Sequence, residues 1–200
     1  MFDEIIRRVM PRVLSAPARV LARAGVSPNM VSVFGAALGV GSGVLVARDH
    51  VGAGIGLWLF SRVLDGLDGI LARESGMTSA FGGYLDITLD MAAYSAMLLG
   101  FAVIHPEGGI VWAVVLMGYL LVTTTTLALS SLIEKQNARV LPENNRSLQF
   151  TPGFAEAGET TAAYVLLALF PGSVTAIAWG WTALCFATVV QRTLLARRLL

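Results

Sequence analysis

Four aspartates lie close together in a chain whose flanking sequence is apolar enough to sit in a bilayer. Residues 65–90 read DGLDGILARESGMTSAFGGYLDITLD, in the pattern Asp65-x2-Asp68-Gly69-x2-Ala72-Arg73-x8-Gly82-x3-Asp86-x3-Asp90. An ionisable group at membrane depth costs about 3 kcal/mol or more unless it is paired or solvated. A fold that keeps four charges of one sign together must bring something positive to them. A divalent cation, or two, meets that need.

The rest of the chain supports a membrane setting. Charged residues make up 14% of it, against roughly 25% in an ordinary soluble domain. The apolar residues fall in long runs, as in integral membrane proteins. A net charge of +1 gives no bulk basic signal for nucleic acid. The single cysteine, Cys185, excludes an internal disulfide and a cysteine-based metal site. It lies in an apolar run and reads as a small buried hydrophobe. Residues 2–24 mix Arg, Asp, Glu and Pro among apolar positions, which is not the pattern of a signal peptide.

Residues 3–25 alternate apolar and basic groups at roughly helical spacing, with Pro11 and Pro17 as interruptions. Arg7, Arg8, Arg12, Arg19 and Arg23 fall on one polar face. The expectation is an amphipathic helix lying on the membrane surface. Six spanning helices are expected after it, near 29–47, 51–72, 79–104, 109–132, 154–170 and 174–195. The fifth is the shortest and carries Glu156 and Glu159 in its first turns. Glu134 to Thr151 forms the one substantial polar loop. Lys135, Arg139, Arg146, Arg192, Arg197 and Arg198 fall on the same side as the N-terminal arginines, while the opposite connections hold only Arg48. By the positive-inside rule, both termini and the turn between the second and third spans face the cytoplasm.

Asp65 and Asp68 are three apart and share one face of the second span; Asp86 and Asp90 are four apart and share one face of the third. The two helices are joined by a short turn, so they are expected to be antiparallel neighbours whose acidic faces meet. Like charges this close repel unless a cation intervenes. Hard oxygen ligands suit Mg²⁺, Mn²⁺ or Ca²⁺, and a carboxylate-bridged metal pair suits displacement at phosphorus. Arg73 can make a bidentate contact with phosphate oxygens. Gly69 and Gly82 leave room for a ligand, or equally for a neighbouring helix. If the aspartates only pinned helices together, Arg62 and Arg73 would have to neutralise them, and two cations cannot balance four anions. Arg62, one turn before Asp65, is placed to pair with Asp65, Glu156 or Glu159.

At every defined position this pattern resembles the signature of the CDP-alcohol phosphotransferase (CDP-alcohol phosphatidyltransferase) family. The six-span layout and the preceding surface helix are similar too, and Ser27-Pro28-Asn29-Met30-Val31-Ser32 resembles the family's Pro-Asn start of the first span. The resemblance implies an all-α integral membrane protein, with a juxtamembrane helix over 1–26 and a six-helix transmembrane catalytic domain over 27–200. It implies transfer of a substituted phosphate from a CDP-linked lipid, such as CDP-diacylglycerol, to an alcohol or phospho-alcohol, releasing CMP. Two divalent ions, Mg²⁺ or Mn²⁺, would be held by Asp65, Asp68, Asp86 and Asp90. Asp90 would also take the proton from the acceptor hydroxyl. Gly69, Arg73 and Ser79, with Pro28, Asn29, Met30 and Val31, would contact the CDP moiety. The resemblance also implies a homodimer in the cell (inner or plasma) membrane with a cytoplasmic active site.

Other polar residues admit plainer roles. His50 and His105 sit at non-cytoplasmic turns and read as solvated loop residues. The threonines of residues 123–126 read as bonding back to their helix or across to a neighbour. Glu156 and Glu159 suit a helix start or acceptor contact; Lys135, Arg139 and Arg192 suit membrane anchoring or an acceptor phosphate. Two other functions fit the acidic site. A lipid phosphatase or pyrophosphatase would use water as the nucleophile. An ion carrier would place its carboxylates at the midplane, not at one membrane face.

Overall fold

The computed structural model describes residues 2–137 and 153–200, and among these there is no strand. Seven helices follow in order: α1 (Phe2–Arg23), α2 (Pro28–Ala47), α3 (Val51–Ser75), α4 (Ala80–Ile104), α5 (Ile110–Asn137), α6 (Ala157–Leu169) and α7 (Val174–Leu199). Local chemistry sets several boundaries. Ser27 caps α2, its hydroxyl accepting the Met30 N–H at 3.3 Å, with Pro28 at the first position. Ser79 caps α4 by accepting the Gly82 N–H at 3.0 Å. Gly76 ends α3 in the left-handed conformation, at φ 69°, where a side chain would be strained. At the far turn, His105 Nδ1 lies 2.8 Å from Glu107 Oε1, and the Trp112 indole N–H donates to the His105 carbonyl.

The first helix runs through Pro11 and Pro17 without a break, contrary to the interruptions expected there. Pro17 lies on the exposed face, so the carbonyl one turn back that loses its amide partner stays open to solvent. Arg19 and Arg23 are exposed, as expected; the side chains of Arg7, Arg8 and Arg12 lie outside the described ones. The opposite face of α1 packs Met10, Leu14, Ala18, Leu21 and Ala22 against Val31, Leu67, Ile70 and Leu71. The thioether end of Met10 fills the space that a side chain at Gly66 would occupy.

Among the described residues, four helices are long and apolar enough to cross a membrane: α2, α4, α5 and α7. All six expected spans are present as helices, but two differ in kind. α3 has 25 residues yet carries Arg62, Asp65, Asp68, Arg73 and Glu74. α6 has only 13 residues, about 20 Å of helix against a hydrocarbon core of about 30 Å. α5 continues five residues past the expected boundary, to Asn137. Most of the expected polar loop, with Arg139 and Arg146, lies outside the described residues. Large apolar side chains such as Phe34, Val103, Leu120 and Val190 are exposed on α2, α4, α5 and α7, as lipid contact requires.

α2 is the centre of the N-terminal half. It packs along both α3 and α4, whereas α3 and α4 hardly touch along their backbones. Small residues permit this. A Cβ added at Gly43 would collide with the backbone of Ala96, and one at Gly100 with the Gly43 carbonyl. Gly39 faces α3 and α4 together: its Cβ would stand 2.8 Å from the Ala93 Cβ and 3.4 Å from the Ser61 hydroxyl. The C-terminal half closes around a buried aromatic cluster. The Trp181 N–H donates to the Tyr119 hydroxyl at 3.0 Å, Tyr119 and Tyr164 share a hydrogen bond at 3.0 Å, and the Tyr164 hydroxyl donates to the Tyr94 carbonyl at 2.7 Å. This chain ties α4, α5, α6 and α7 together. Each buried polar group in it is satisfied, so burial carries no desolvation penalty there.

Candidate active site

The acidic residues of α3 and α4 do meet, but not because those helices are direct neighbours. The glycine face of α2 lets both approach it closely, and their acidic faces converge beyond it. Among the described residues, Asp65, Asp68 and Asp86 each offer a carboxylate oxygen, and these oxygens lie within 4.8 Å of one another. Asp68 is buried, with Ser32 of α2 beside its carboxylate. Its Oδ2 is buried without a hydrogen-bond partner, an expensive state for an anionic oxygen unless a cation or a ligand meets it. Three convergent hard donors, one of them orphaned, fit a divalent ion of the Mg²⁺ or Mn²⁺ type.

Asp90 is not one of the three but lines the cavity beside Asp86. Its Oδ1 lies 2.5 Å from Arg62 Nη1, while the same guanidinium nitrogen lies 3.7 Å from Asp65 Oδ2. The expected Arg62–Asp65 pair is therefore present but long, and the shorter pair is with Asp90. Glu156 and Glu159 are not the partners of Arg62. Trp58 and Tyr94 pack against each other, ring centroids 5.4 Å apart, and the guanidinium lies over both, at 4.6 and 5.2 Å from their centroids. Neither aromatic was marked by the sequence pattern; Trp58 lies one helical turn before Arg62 and Tyr94 one turn after Asp90.

The residues expected to contact a nucleotide gather around the starts of α2 and α4 and the end of α3. Gly82 lies against both Ser79 and Asn29, since a Cβ there would stand 3.2 Å from Ser79 Oγ and 3.4 Å from Asn29 Oδ1. Ser79 is engaged as the α4 cap. Pro28 is buried, and the buried Val31 side chain packs with Leu67, Ile70 and Leu71 while its N–H donates to the Ser27 carbonyl; Met30 is exposed. Arg73 is exposed and its guanidinium lies over Gly69.

Beside Asp86 and Asp90 opens a cavity of about 290 Å³ between α4, α5, the start of α6 and α7. Its polar lining includes Thr123, Thr126, Glu156, Thr160 and Arg192. Arg192 is buried and donates to the Val122 carbonyl at 3.0 Å and the Thr126 hydroxyl at 2.5 Å. Glu156 precedes α6 and its Oε1 accepts the Gly153 N–H at 2.9 Å. Glu156 and Arg192 thus lie in the cavity wall with the aspartates. Glu159 does not line the cavity and Lys135 is exposed near the end of α5. The threonines behave as expected: Thr125 and Thr126 bond back to their helix, and Thr123 reaches across to the Met91 sulfur. Cys185 is buried at the cavity floor.

A carboxylate cluster beside a small cavity, in a bundle with four helices long and apolar enough to cross a bilayer, fits a membrane enzyme of metal-assisted phosphoryl chemistry. The chain belongs to the CDP-alcohol phosphatidyltransferase family, whose family model matches residues 25–191. It is 33% identical over 190 residues to inner membrane protein YnjF of Escherichia coli, covering 93% of this chain and 92% of that protein. It is 30% identical to the archaetidylinositol phosphate synthase of Pyrococcus horikoshii, covering 83% of each. With the phosphatidylinositol phosphate synthase of Streptomyces avermitilis it shares 41% identity over 114 residues, 54% of this chain and 45% of that one. The fold is similar to the crystal structure of Mycobacterium tuberculosis phosphatidylinositol phosphate synthase in complex with manganese and citrate. That likeness has a TM-score of 0.75 at 22% identity and covers 92% of this chain and 88% of the other. The same enzyme with CDP-DAG bound gives a TM-score of 0.72, covering 92% and 94%.

Proposed function

We propose that this protein transfers a phosphatidyl group from a CDP-linked lipid such as CDP-diacylglycerol to the hydroxyl of a small alcohol, releasing CMP. The observation that carries this reading is the convergence of Asp65, Asp68 and Asp86 at 4.8 Å or less, with Asp90 beside them in the lining of the cavity. Asp65, Asp68, Asp86 and Asp90 would hold divalent ions, Mg²⁺ or Mn²⁺. When bound, such ions offset the charge of the pyrophosphate and of the displaced CMP oxygen.

The chain's own residues supply the rest. Arg73, Gly69 and Ser79, with Pro28, Asn29, Met30 and Val31, receive the nucleotide end of the donor, where α2, α3 and α4 meet. The acceptor lies in the cavity with its hydroxyl toward Asp90. The hydroxyl oxygen bonds to the β-phosphorus as the bond from that phosphorus to the CMP oxygen breaks. The proton passes to Asp90, and CMP leaves with the electron pair. The aromatic floor, with Tyr119, Trp181 and Cys185, limits water in competition with the alcohol. Relatives that are synthases of inositol-phosphate lipids support a phosphorylated inositol as the first acceptor to try, with Arg192 as a cation in the cavity wall.

The placement in the membrane is part of the same proposal. α3 and α6 complete a six-span domain over residues 27–200, and α1, within residues 1–26, lies on the surface with Arg19 and Arg23 toward the headgroups. Both termini and the site face the cytoplasm, supported by the distribution of Lys and Arg. Two copies associate as a homodimer, supported by the family resemblance alone.

Purified protein supplied with CDP-diacylglycerol and a panel of alcohols tests the reaction, with CMP measured and the lipid product identified by mass spectrometry. CMP formation that depends on one alcohol and yields its phosphatidyl ester is the expected result. CMP and phosphatidic acid formed equally without alcohol would mean that water is the substrate and the protein a hydrolase.

A further inference from the structure

The four aspartates are divided: three converge, and the fourth is held by Arg62. The arginine is a fixed element of the site. Its guanidinium lies over the touching rings of Trp58 and Tyr94, its Nε lies 3.4 Å from the Ser61 hydroxyl, and its side chain is 12% exposed. Gly39 of α2 makes room for it, since a Cβ there would stand 3.6 Å from Arg62 Nη2. From this position one nitrogen reaches both Asp90 and Asp65. Arg62 therefore stands closest to Asp90 and, at longer range, against Asp65 of the three that converge.

A cation at that place has a definite electrostatic consequence. Two positive charges about 4 Å apart in a half-buried site repel strongly. A metal ion drawing on Asp90 must share that carboxylate with Arg62 or displace it. An ion held by Asp65, Asp68 and Asp86 meets the same guanidinium only through its longer contact, with Asp65 at 3.7 Å. We propose that Arg62 is a positioning residue that makes the two metal positions unequal. It reserves Asp90 while one ion is held by the other three aspartates, and it releases Asp90 to a second ion once a diphosphate brings compensating negative charge. This inference rests on the two-metal reading above.

Binding of Mn²⁺ to the full-length protein in detergent, by calorimetry and by electron paramagnetic resonance of free Mn²⁺, tests it. Wild type, Arg62→Met, Arg62→Lys and Asp90→Asn are compared, with and without CDP. Wild type is expected to show a tighter and a weaker class of site, with CDP strengthening the weaker. Arg62→Met keeps the bulk and removes the charge, so the weaker class should tighten about tenfold or more while the tighter changes little. Arg62→Lys keeps the charge and should stay near wild type, which separates electrostatics from a general disturbance of packing. Asp90→Asn should lose only the weaker class. Equal sites in wild type, or a weaker class unmoved by Arg62→Met in folded protein, would overturn the role of Arg62 alone. If Arg62→Met does not fold, Arg62→Lys with CDP-independent weak binding would overturn it equally. Absence of Mn²⁺ binding in wild type would overturn the two-metal reading itself.

Discussion

The guanidinium of Arg73 lies directly over Gly69, one turn back along α3: a Cβ at position 69 would stand 3.3 Å from Arg73 Nη1. The glycine thus leaves space for the arginine of the same helix. Gly69→Ala should be tolerated by the fold and could raise helix stability by about 0.5–1 kcal/mol, since glycine is a poor helix former. It should nevertheless push the guanidinium aside and weaken CDP-lipid binding several-fold. Thermal melting and donor Kd on the same variant check this; an unchanged Kd would leave Gly69 with no part in donor binding.

Arg73 and Arg62 lie eleven residues apart on α3, so they are about 16 Å apart along its axis. Arg73 is exposed near the end of the helix, where the proposed nucleotide site lies, while Arg62 is half-buried over the rings of Trp58 and Tyr94. Arg73→Lys should weaken donor binding by roughly 1–2 kcal/mol, because lysine lacks the planar two-donor fork. Arg62→Lys should leave donor affinity closer to wild type. Donor dissociation constants decide between them, and a larger defect at Arg62 would mean the nucleotide sits at the other end of the site.

Asp68→Ala and Asp86→Ala should each remove the tighter metal-binding event, since both belong to the convergent trio. The two variants should differ in stability. Asp68 is buried with Ser32 beside its carboxylate and Oδ2 without a hydrogen-bond partner, so its removal takes a partly satisfied buried carboxylate out of metal-free protein. Asp86 is exposed and should be nearly neutral. Calorimetry with Mn²⁺ and melting in chelator check both halves; tight binding retained in both variants would rule out this ligand set.

Asp90→Asn should lower turnover by about 10²–10⁴ under conditions limited by chemistry, the usual cost of losing a positioned base. Donor binding should stay within a few-fold, because the expected nucleotide contacts lie on α2, α3 and the start of α4. Single-turnover rates and donor Kd check the split. Retention of most wild-type activity would remove Asp90 from the base role.

The aspartate convergence was legible because helical spacing alone puts Asp65 with Asp68 and Asp86 with Asp90. The reason for the convergence was not legible. It lies in α2, whose Gly35, Gly39 and Gly43 recur every fourth residue and present a smooth face to both acidic helices. That spacing is visible in the sequence, but only the packing shows which neighbours use it. The choice of Asp90 by Arg62 has the same character. Asp65, at i+3, is the partner that local spacing offers, yet packing over Trp58 and Tyr94 aims the guanidinium across to α4. Pro17 was misread for the opposite reason. Its local cost is real, but burial of Leu14, Ala18 and Leu21 against α3 holds α1 together through it.

Thr188 links α7 to the approach to α6. Its buried hydroxyl accepts the Phe154 and Ala155 N–H groups at 3.1 and 2.9 Å and donates to the Leu184 carbonyl at 2.9 Å. Valine has the same shape without the hydroxyl. Thr188→Val should leave the buried Ala155 amide unsatisfied and cost about 1–3 kcal/mol. The damage should not stay at position 188, because the residue after Ala155 is Glu156, which lines the cavity opposite Arg192. Freed from its anchor, the segment before α6 shifts that wall, while the carboxylate trio on α3 and α4 stays in place. The variant should therefore melt lower and show a raised KM for the acceptor, with Mn²⁺ affinity and donor Kd near wild type. An acceptor KM that stays at the wild-type value despite the lower melting temperature would mean that the α6 approach does not shape the acceptor site.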